Sequence, residues 1–383
     1  MSEMVQIEVR DRPSGGPSTE PRKATLAALG DLMLAGEWDA VGADGMAAAL
    51  AALGPVIDAD LVFANLEATA AGDGETIAKE PRLIGRPDTL GAALAALRID
   101  VASLGNNHAF DACLGGFRQT RGVVEGLGIT HLGAGENAAE AASARTLERS
   151  GLRFGFLAFT DVETRPSHVA GGADGYGVHP LEESDAVARI KTLRSTVDHV
   201  VVSLHWGVEY CHLPSPDQIR VARRLVDAGA RLVIGHHAHV VQGVESYGGG
   251  VIAYNLGNAL TTDLEINGRL AIRQSAKMRS SFALRARFSP AGIDGVELIP
   301  FYAGRGEVRL RDRGARRRLE AAQRGLAEGV DAKRWKRVRL YEDVVLRTLK
   351  KLHPSVIGSV RPHHFAKFFR NIAGASSGRG PAA

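Results

Sequence analysis

Five apolar runs of this chain end in polar residues whose types suit metal and acid/base chemistry. The endings are Gly30-Asp31, Asn65-Leu66-Glu67, Gly105-Asn106-Asn107-His108 with Asp111, His205-Trp206-Gly207-Val208-Glu209, and Gly235-His236-His237-Ala238-His239. Asp, Glu, Asn and His supply the oxygen and nitrogen donors of a hard or borderline divalent cation. Taken alone, each cluster has a plainer reading. Asp31 would serve equally as a helix N-cap, and Asn106-Asn107 as turn chemistry. Several such endings together point to one metal site.

Two spacings carry further chemistry. Asp111 follows His108 by three residues, so a helical turn starting there would put both on one side. A carboxylate on one imidazole nitrogen fixes the tautomer and raises basicity at the other. His108 and Asp111 are therefore the first candidates for general acid/base work; the competing role for Asp111 is to cap the next helix. His237 and His239 are two apart and would face oppositely in extended backbone. Both reach one cation only if the chain turns, and Gly235 is expected to permit that turn. Otherwise one of them ligates and the other transfers protons. Cys211 and His212 follow Glu209 closely enough to line the cleft, with Cys211 a bystander.

These endings must be held by strands. TLAALGDLML, LVFANLEA, VASLGNNH, RFGFLAFT, HVVVSLHWG and RLVIGHHAH read as strands. AVGADGMAAALAALG, PDTLGAALAALRI, LEESDAVARIKTLRS and PDQIRVARRLVDAG read as helices between them. Such alternation implies mostly parallel sheet with helices on its faces. The carboxyl ends of parallel strands share one edge, where ligands bind. After Val240, VVQGVESYGGGVIAYNLGN, SSFALRARF and GVELIPFYA suggest an antiparallel section completing a second sheet.

The 383 residues suffice for one large α/β domain or two ordinary ones, and 45% apolar content excludes wholesale disorder. No run is long and apolar enough to span a membrane as a helix. Residues 1–23 are rich in Pro, Gly, Ser and charge and lack the apolar core of a secretory signal, so they read as a disordered leader. Two cysteines without a CxxC exclude a disulfide scaffold and a structural zinc site, and a cytoplasmic setting is expected. Residues 305–370 hold 19 Lys/Arg against 7 Asp/Glu in a chain of net charge +4, leaving the remainder acidic. This region, 304–372, reads as basic helices with Leu319, Leu326, Leu340, Leu346 and Leu349 turned inward, and 373–383 as a disordered tail. Its roles are a solvated face on a packed core, or a docking surface for an acidic peptide or anionic lipid. Nucleic acid is not expected: Trp335 is the lone aromatic in the densest basic stretch.

GDLML, ANLEA, GNNHAFD, LHWGVEY, GHHAHVVQG and YNLGN, in this order, resemble the CapA-like proteins of poly-γ-glutamate capsule synthesis, within the calcineurin-like metallophosphoesterase superfamily. The resemblance covers residues 24–303. It implies an α/β fold, a calcineurin-like two-sheet sandwich flanked by helices, here with the basic helical C-terminal extension. It also implies a metal shell of Asp31, Glu67, Asn107, His205, His237 and His239, with His108 as general acid. Two positions depart from the superfamily pattern. The usual Asp-x-His is Asp31-Leu32-Met33, and Asn65 and Glu67 stand near the place of the bridging Asp. One divalent cation (Ca, Mn, Zn or Fe) is therefore expected rather than a pair.

The resemblance admits three activities: work on poly-γ-glutamate, phosphoester hydrolysis, and epimerisation of a peptide Cα, as in lasso-peptide maturation. The departures weaken the two-metal phosphoester route, and the peptide epimerase is the favoured expectation. Inversion at Cα needs a base and an acid on opposite faces, with developing negative charge stabilised. His108 with Asp111 supplies one such pair. The other is His237 or His239 with Asp31, or His205 with Glu209. Trp206, Glu209 and Asn258 are assigned to binding the substrate, a peptide or other small acidic molecule.

Overall fold

The computed structural model describes residues 5–7, 22–172, 174–266, 269–304 and 306–342. Most of the expected leader, the tail at 373–383, and Leu346 and Leu349 lie outside them. The principal strands are β1 (Val5–Ile7), β2 (Ala24–Leu32), β3 (Leu61–Asn65), β4 (Val101–Ser103), β5 (Thr130–Leu132), β6 (Arg145–Arg149), β7 (Leu152–Thr160), β8 (His199–His205), β9 (Ala230–His236), β10 (Val244–Tyr247), β11 (Gly250–Ala253), β12 (Asn258–Leu260), β13 (Ser280–Ser289), β14 (Gly292–Gly304) and β15 (Glu307–Leu310). The principal helices are α1 (Glu37–Leu50), α2 (Pro87–Ala96), α3 (Cys113–Gly126), α4 (Glu183–Leu193), α5 (Pro216–Ala228), α6 (Arg313–Ala327) and α7 (Ala332–Arg339).

The first sheet runs β1-β14-β13-β2-β3-β4-β5, with β12 beside β2 and β15 beside β14. The second runs β10-β11-β9-β8-β7-β6. Within them, β2, β3, β4 and β5 are mutually parallel, as are β7, β8, β9 and β11. Side chains alternate along each strand. Leu61 and Phe63 of β3, Phe154 and Phe156 of β7 and Val201 of β8 fill the core between the sheets. Val62 and Ala64 turn outward to a core shared with Trp38, Leu50, Leu90 and Phe117 of α1, α2 and α3. Val200, Val202 and Leu204 turn outward to Ile190 and Leu225 of α4 and α5. The result is the four-layer helix-sheet-sheet-helix sandwich that was expected.

Four differences from the sequence pattern have physical causes. β13 and β14 complete the first sheet, not the second, because β13 pairs antiparallel with β2; the second sheet gains β10 and β11. Helix α3 and strand β5 are not marked in the sequence. Four glycines in α3 depress its propensity, and it forms through packing: a Cβ at Gly116 would stand 2.8 Å from the Ala70 carbonyl oxygen. Val5–Ile7, expected in a disordered leader, pairs with Val296–Leu298 of β14. Finally, the basic extension begins as β15 before it turns helical, and α6 buries Leu319 in the inter-sheet core. Among the described residues, no helix is long and apolar enough to cross a membrane.

Candidate metal centre

The carboxyl ends of β2, β3, β4, β8 and β9 bring the polar clusters together, as the alternation implied. Asp31 lies at the end of β2, fully buried. Close backbone approach sets its position: a Cβ at Gly30 would stand 1.9 Å from the Gly257 carbonyl oxygen, and Asp31 N donates to that same oxygen at 3.0 Å. Its carboxylate accepts from Asn65 Nδ2 at 2.9 Å and from His237 N at 3.2 Å. His236 Nδ1 lies 3.1 Å away and His239 Nδ1 3.5 Å. Burial alone would raise the Asp31 pKa, but these two imidazoles override it and hold the carboxyl well below its ordinary range. Asp31 caps no helix; the N-cap of α1 is Gly36.

Glu67 is fully buried, and neither of its carboxylate oxygens has a hydrogen-bond partner. A buried charged oxygen left so is costly unless another group satisfies it. Nitrogen and oxygen donors surround it. One ligand atom each from Glu67, His237 and His239 lies within 4.8 Å of the others, and the same holds for Asp31, Glu67 and His205. His205 Nε2 lies 3.6 Å from Glu67 Oε1 and 2.8 Å from Asn107 Oδ1, so Asn107 joins the same group. This donor set fits a divalent cation, the orphaned Glu67 oxygens being the clearest sign.

Charge in the cluster follows from burial and neighbours. Burial pushes His205 well below the usual imidazole range, and His237 down to about 4. His239 goes the other way, up to about 10: burial opposes this, but the Glu67 and Asp31 carboxylates outweigh it. His205 and His237 are thus held as neutral imidazoles, the form that ligates a metal.

His108 and Asp111 meet beside this group. His108 Nδ1 donates to Asp111 Oδ2 at 2.5 Å. The turn between them closes with Asp111 N donating to the His108 carbonyl at 3.2 Å. Asp111 Oδ2 also accepts from Leu83 N at 2.7 Å, so its carboxylate is engaged away from α3, whose N-cap is Ala112. The expected rise in His108 basicity is not met. Burial lowers its pKa more than Asp111 raises it, and the His239 charge adds to the lowering.

Other expected positions differ. The turn at Gly235-His236-His237 is not made by Gly235. His237 and His239 adopt the left-handed region themselves, at φ 88° and 55°, a strained conformation for residues with a Cβ. Gly235 instead admits a neighbouring strand, since a Cβ there would stand 1.9 Å from the Tyr254 carbonyl oxygen. Trp206, assigned above to substrate binding, is buried: its ring packs in the core beneath α5 and its Nε1 donates to the Tyr254 carbonyl at 3.2 Å. Asn258 Oδ1 faces His239 Nδ1 at 2.8 Å while its Nδ2 donates to the Met278 carbonyl, so it orients His239. Glu209 is half-buried and close enough for its charge to raise the pKa of both His237 and His239. Cys211 is buried, with its Sγ on the Leu213 carbonyl. The sequence reading missed His236 and Asn65 as supports of Asp31, and Lys79, which contacts the dyad. His236 was hidden among neighbouring histidines; Lys79 belongs to no pattern.

Known proteins are similar to this chain. The model of the family "Bacterial capsule synthesis protein PGA_cap" matches residues 25–263. The chain is 34% identical over 166 residues to "PGA biosynthesis protein CapA" of Bacillus subtilis (strain 168), covering 43% of each chain. It is 29% identical over 229 residues to "Probable polyglutamine synthesis accessory protein Rv0574c" of Mycobacterium tuberculosis, covering 57% of this chain and 60% of that protein. The match thus spans less than two thirds of these relatives' length. Among solved structures, a hypothetical protein from Thermus thermophilus is similar at TM-score 0.46 and 15% identity, covering 73% of this chain and 99% of that chain. The calcineurin-like phosphoesterase YfkN from Bacillus subtilis is similar at TM-score 0.37 and 13% identity, covering 84% of this chain and 100% of that chain. With its family model matched over most of the sandwich, the chain belongs to the bacterial capsule synthesis protein (PGA_cap) family.

Proposed function

We propose that this chain is a metal-dependent acid/base enzyme that cleaves an amide-linked acidic polymer of the poly-γ-glutamate class. One observation carries the reading: a buried carboxylate with no hydrogen-bond partner, Glu67, stands in a His/Asp/Asn cluster next to the His108–Asp111 dyad. Asp31, Glu67, Asn107, His205, His237 and His239 would hold one divalent cation. When bound, such an ion supplies Lewis acidity and a water of lowered pKa. His108, its Nδ1–H held by Asp111, uses Nε2 first to take a proton from the attacking water and then to deliver it to the departing amide nitrogen. The buried walls exclude bulk water, which strengthens each of these interactions. Relatives named for PGA biosynthesis and for polyglutamine synthesis support the substrate class, and the basic face of α6 and α7 suits a polyanion.

Peptide Cα epimerisation, the lasso-peptide type of reaction, is the second reading. His237 favours it, being a neutral imidazole with no partner at Nδ1 and thus a second proton-transfer group. Hydrolysis ranks first because His108 has a carboxylate partner, Asp111, outside the cation cluster. Incubation of γ-linked glutamate oligomers in heavy water with Mn²⁺ or Zn²⁺ tests both. Cleavage without deuterium at Cα supports hydrolysis. Deuterium at one Cα without cleavage selects epimerisation. Rapid turnover of a phosphodiester with neither outcome refutes both.

A further inference from the structure

Lys79 stands on loop 71–83, outside every motif, yet its ammonium group reaches the dyad. Its Nζ lies 2.5 Å from the Asn107 carbonyl oxygen, 3.1 Å from Asp111 Oδ1 and 3.3 Å from His108 Nδ1. Its side chain is only 24% exposed, against a fully buried Asp111. The two oxygens of Asp111 are therefore divided: Oδ1 accepts from Lys79, and Oδ2 accepts from His108 Nδ1 and Leu83 N. The Asp111 carboxylate can only accept, so its Oδ2, 2.5 Å from His108 Nδ1, draws the Nδ1 proton toward itself. Lys79 Nζ can only donate and would by itself favour a bare Nδ1, so its effect on His108 runs through Asp111, whose Oδ1 it anchors.

We propose that Lys79 is a positioning residue: it clamps Asp111 Oδ1 and the Asn107 backbone, and so locks His108 in the Nδ1–H tautomer with Nε2 free for proton transfer. The proposal rests on the acid/base reading of His108. A lysine whose contacts were only structural would support the loop, but would not select a tautomer.

The test uses the full chain with ¹⁵N-labelled histidine, His108 being assigned by comparison with His108→Gln. At one fixed pH, wild type is expected to show a single His108 tautomer protonated at Nδ1. Lys79→Met and Lys79→Gln are expected to show a mixture of tautomers. On γ-linked glutamate oligomers both variants should lose about 10- to 100-fold in kcat with KM within about two-fold. Lys79→Arg, which keeps the charge, should recover most of the rate. A wild-type His108 spectrum with wild-type kcat in either folded neutral variant overturns the proposal. If wild type turns over no oligomer, the hydrolase reading falls, and the spectra alone still decide the role of Lys79.

Discussion

His205 Nε2 lies 2.8 Å from Asn107 Oδ1, and the two residues belong to different sheets. His205 ends β8 in the second sheet, while Asn107 follows β4 in the first. Asn65 Nδ2, 3.4 Å from His205 Nδ1, makes a second crossing. The candidate centre therefore exists only when the sandwich is closed, and its donors report on the packing of both layers.

Glu67→Gln removes the buried carboxylate charge but keeps its shape. Binding of Mn²⁺ or Zn²⁺ to chelator-stripped protein, followed by calorimetry, is expected to weaken on the order of 100-fold. Saturating metal should raise the wild-type melting temperature and leave the variant nearly unmoved. Equal affinities in the two proteins would remove Glu67 from the ligand set.

His108→Gln tests the dyad apart from the metal. Turnover of the oligomer should fall by about 10²- to 10⁴-fold, with metal affinity within about two-fold of wild type. A variant that keeps its activity would exclude His108 as the proton-transfer group.

His199 links stability to pH at a distance from the centre. At the start of β8 its ring lies 5.5 Å from that of Phe154 and 4.9 Å from that of Phe288, and burial pushes its pKa down to about 4. The folded chain holds this group neutral. On acidification the unfolded chain takes the proton first, near 6.5, so stability is full above that pH and falls as pH drops toward 4. The loss amounts to on the order of 3 kcal/mol. Urea unfolding of wild type and His199→Gln at pH 7 and pH 4.5 should show a smaller acid loss in the variant. Parallel losses would exclude His199 as the source.

Trp206→Phe separates packing from binding. Loss of the indole N–H to the buried Tyr254 carbonyl should lower stability by about 1–3 kcal/mol in urea unfolding. KM for the oligomer should stay within about two-fold. A several-fold rise in KM with unchanged stability would return Trp206 to the binding site.

Much of the architecture was legible because strand and helix leave periodic apolar patterns. LVFANLEA, HVVVSLHWG and RLVIGHHAH read as strands from local composition alone, and their polar tips pointed to one metal site, while the shell of Asp31, Glu67, Asn107, His205, His237 and His239 came from the family resemblance. Helix α3 was not legible, because its glycines hide it from propensity and only its packing makes it a helix. The same limit applied to the pairing of β13 with β2, since register between distant strands depends on which faces meet.

The amino-acid order by itself determined which residues stand at strand ends and that a carboxylate follows an imidazole by one helical turn. Tertiary structure decided the rest. Lys79 reaches Asp111 across a loop no periodicity describes, and His236 supports Asp31 from the other sheet. His237 and His239 take up the strain of the turn, and Glu67 is left buried with both oxygens unclaimed. Local sequence sets backbone preference and side-chain chemistry. Only the closing of two sheets, which removes water and brings distant charges within a few ångströms, sets partners, burial and protonation.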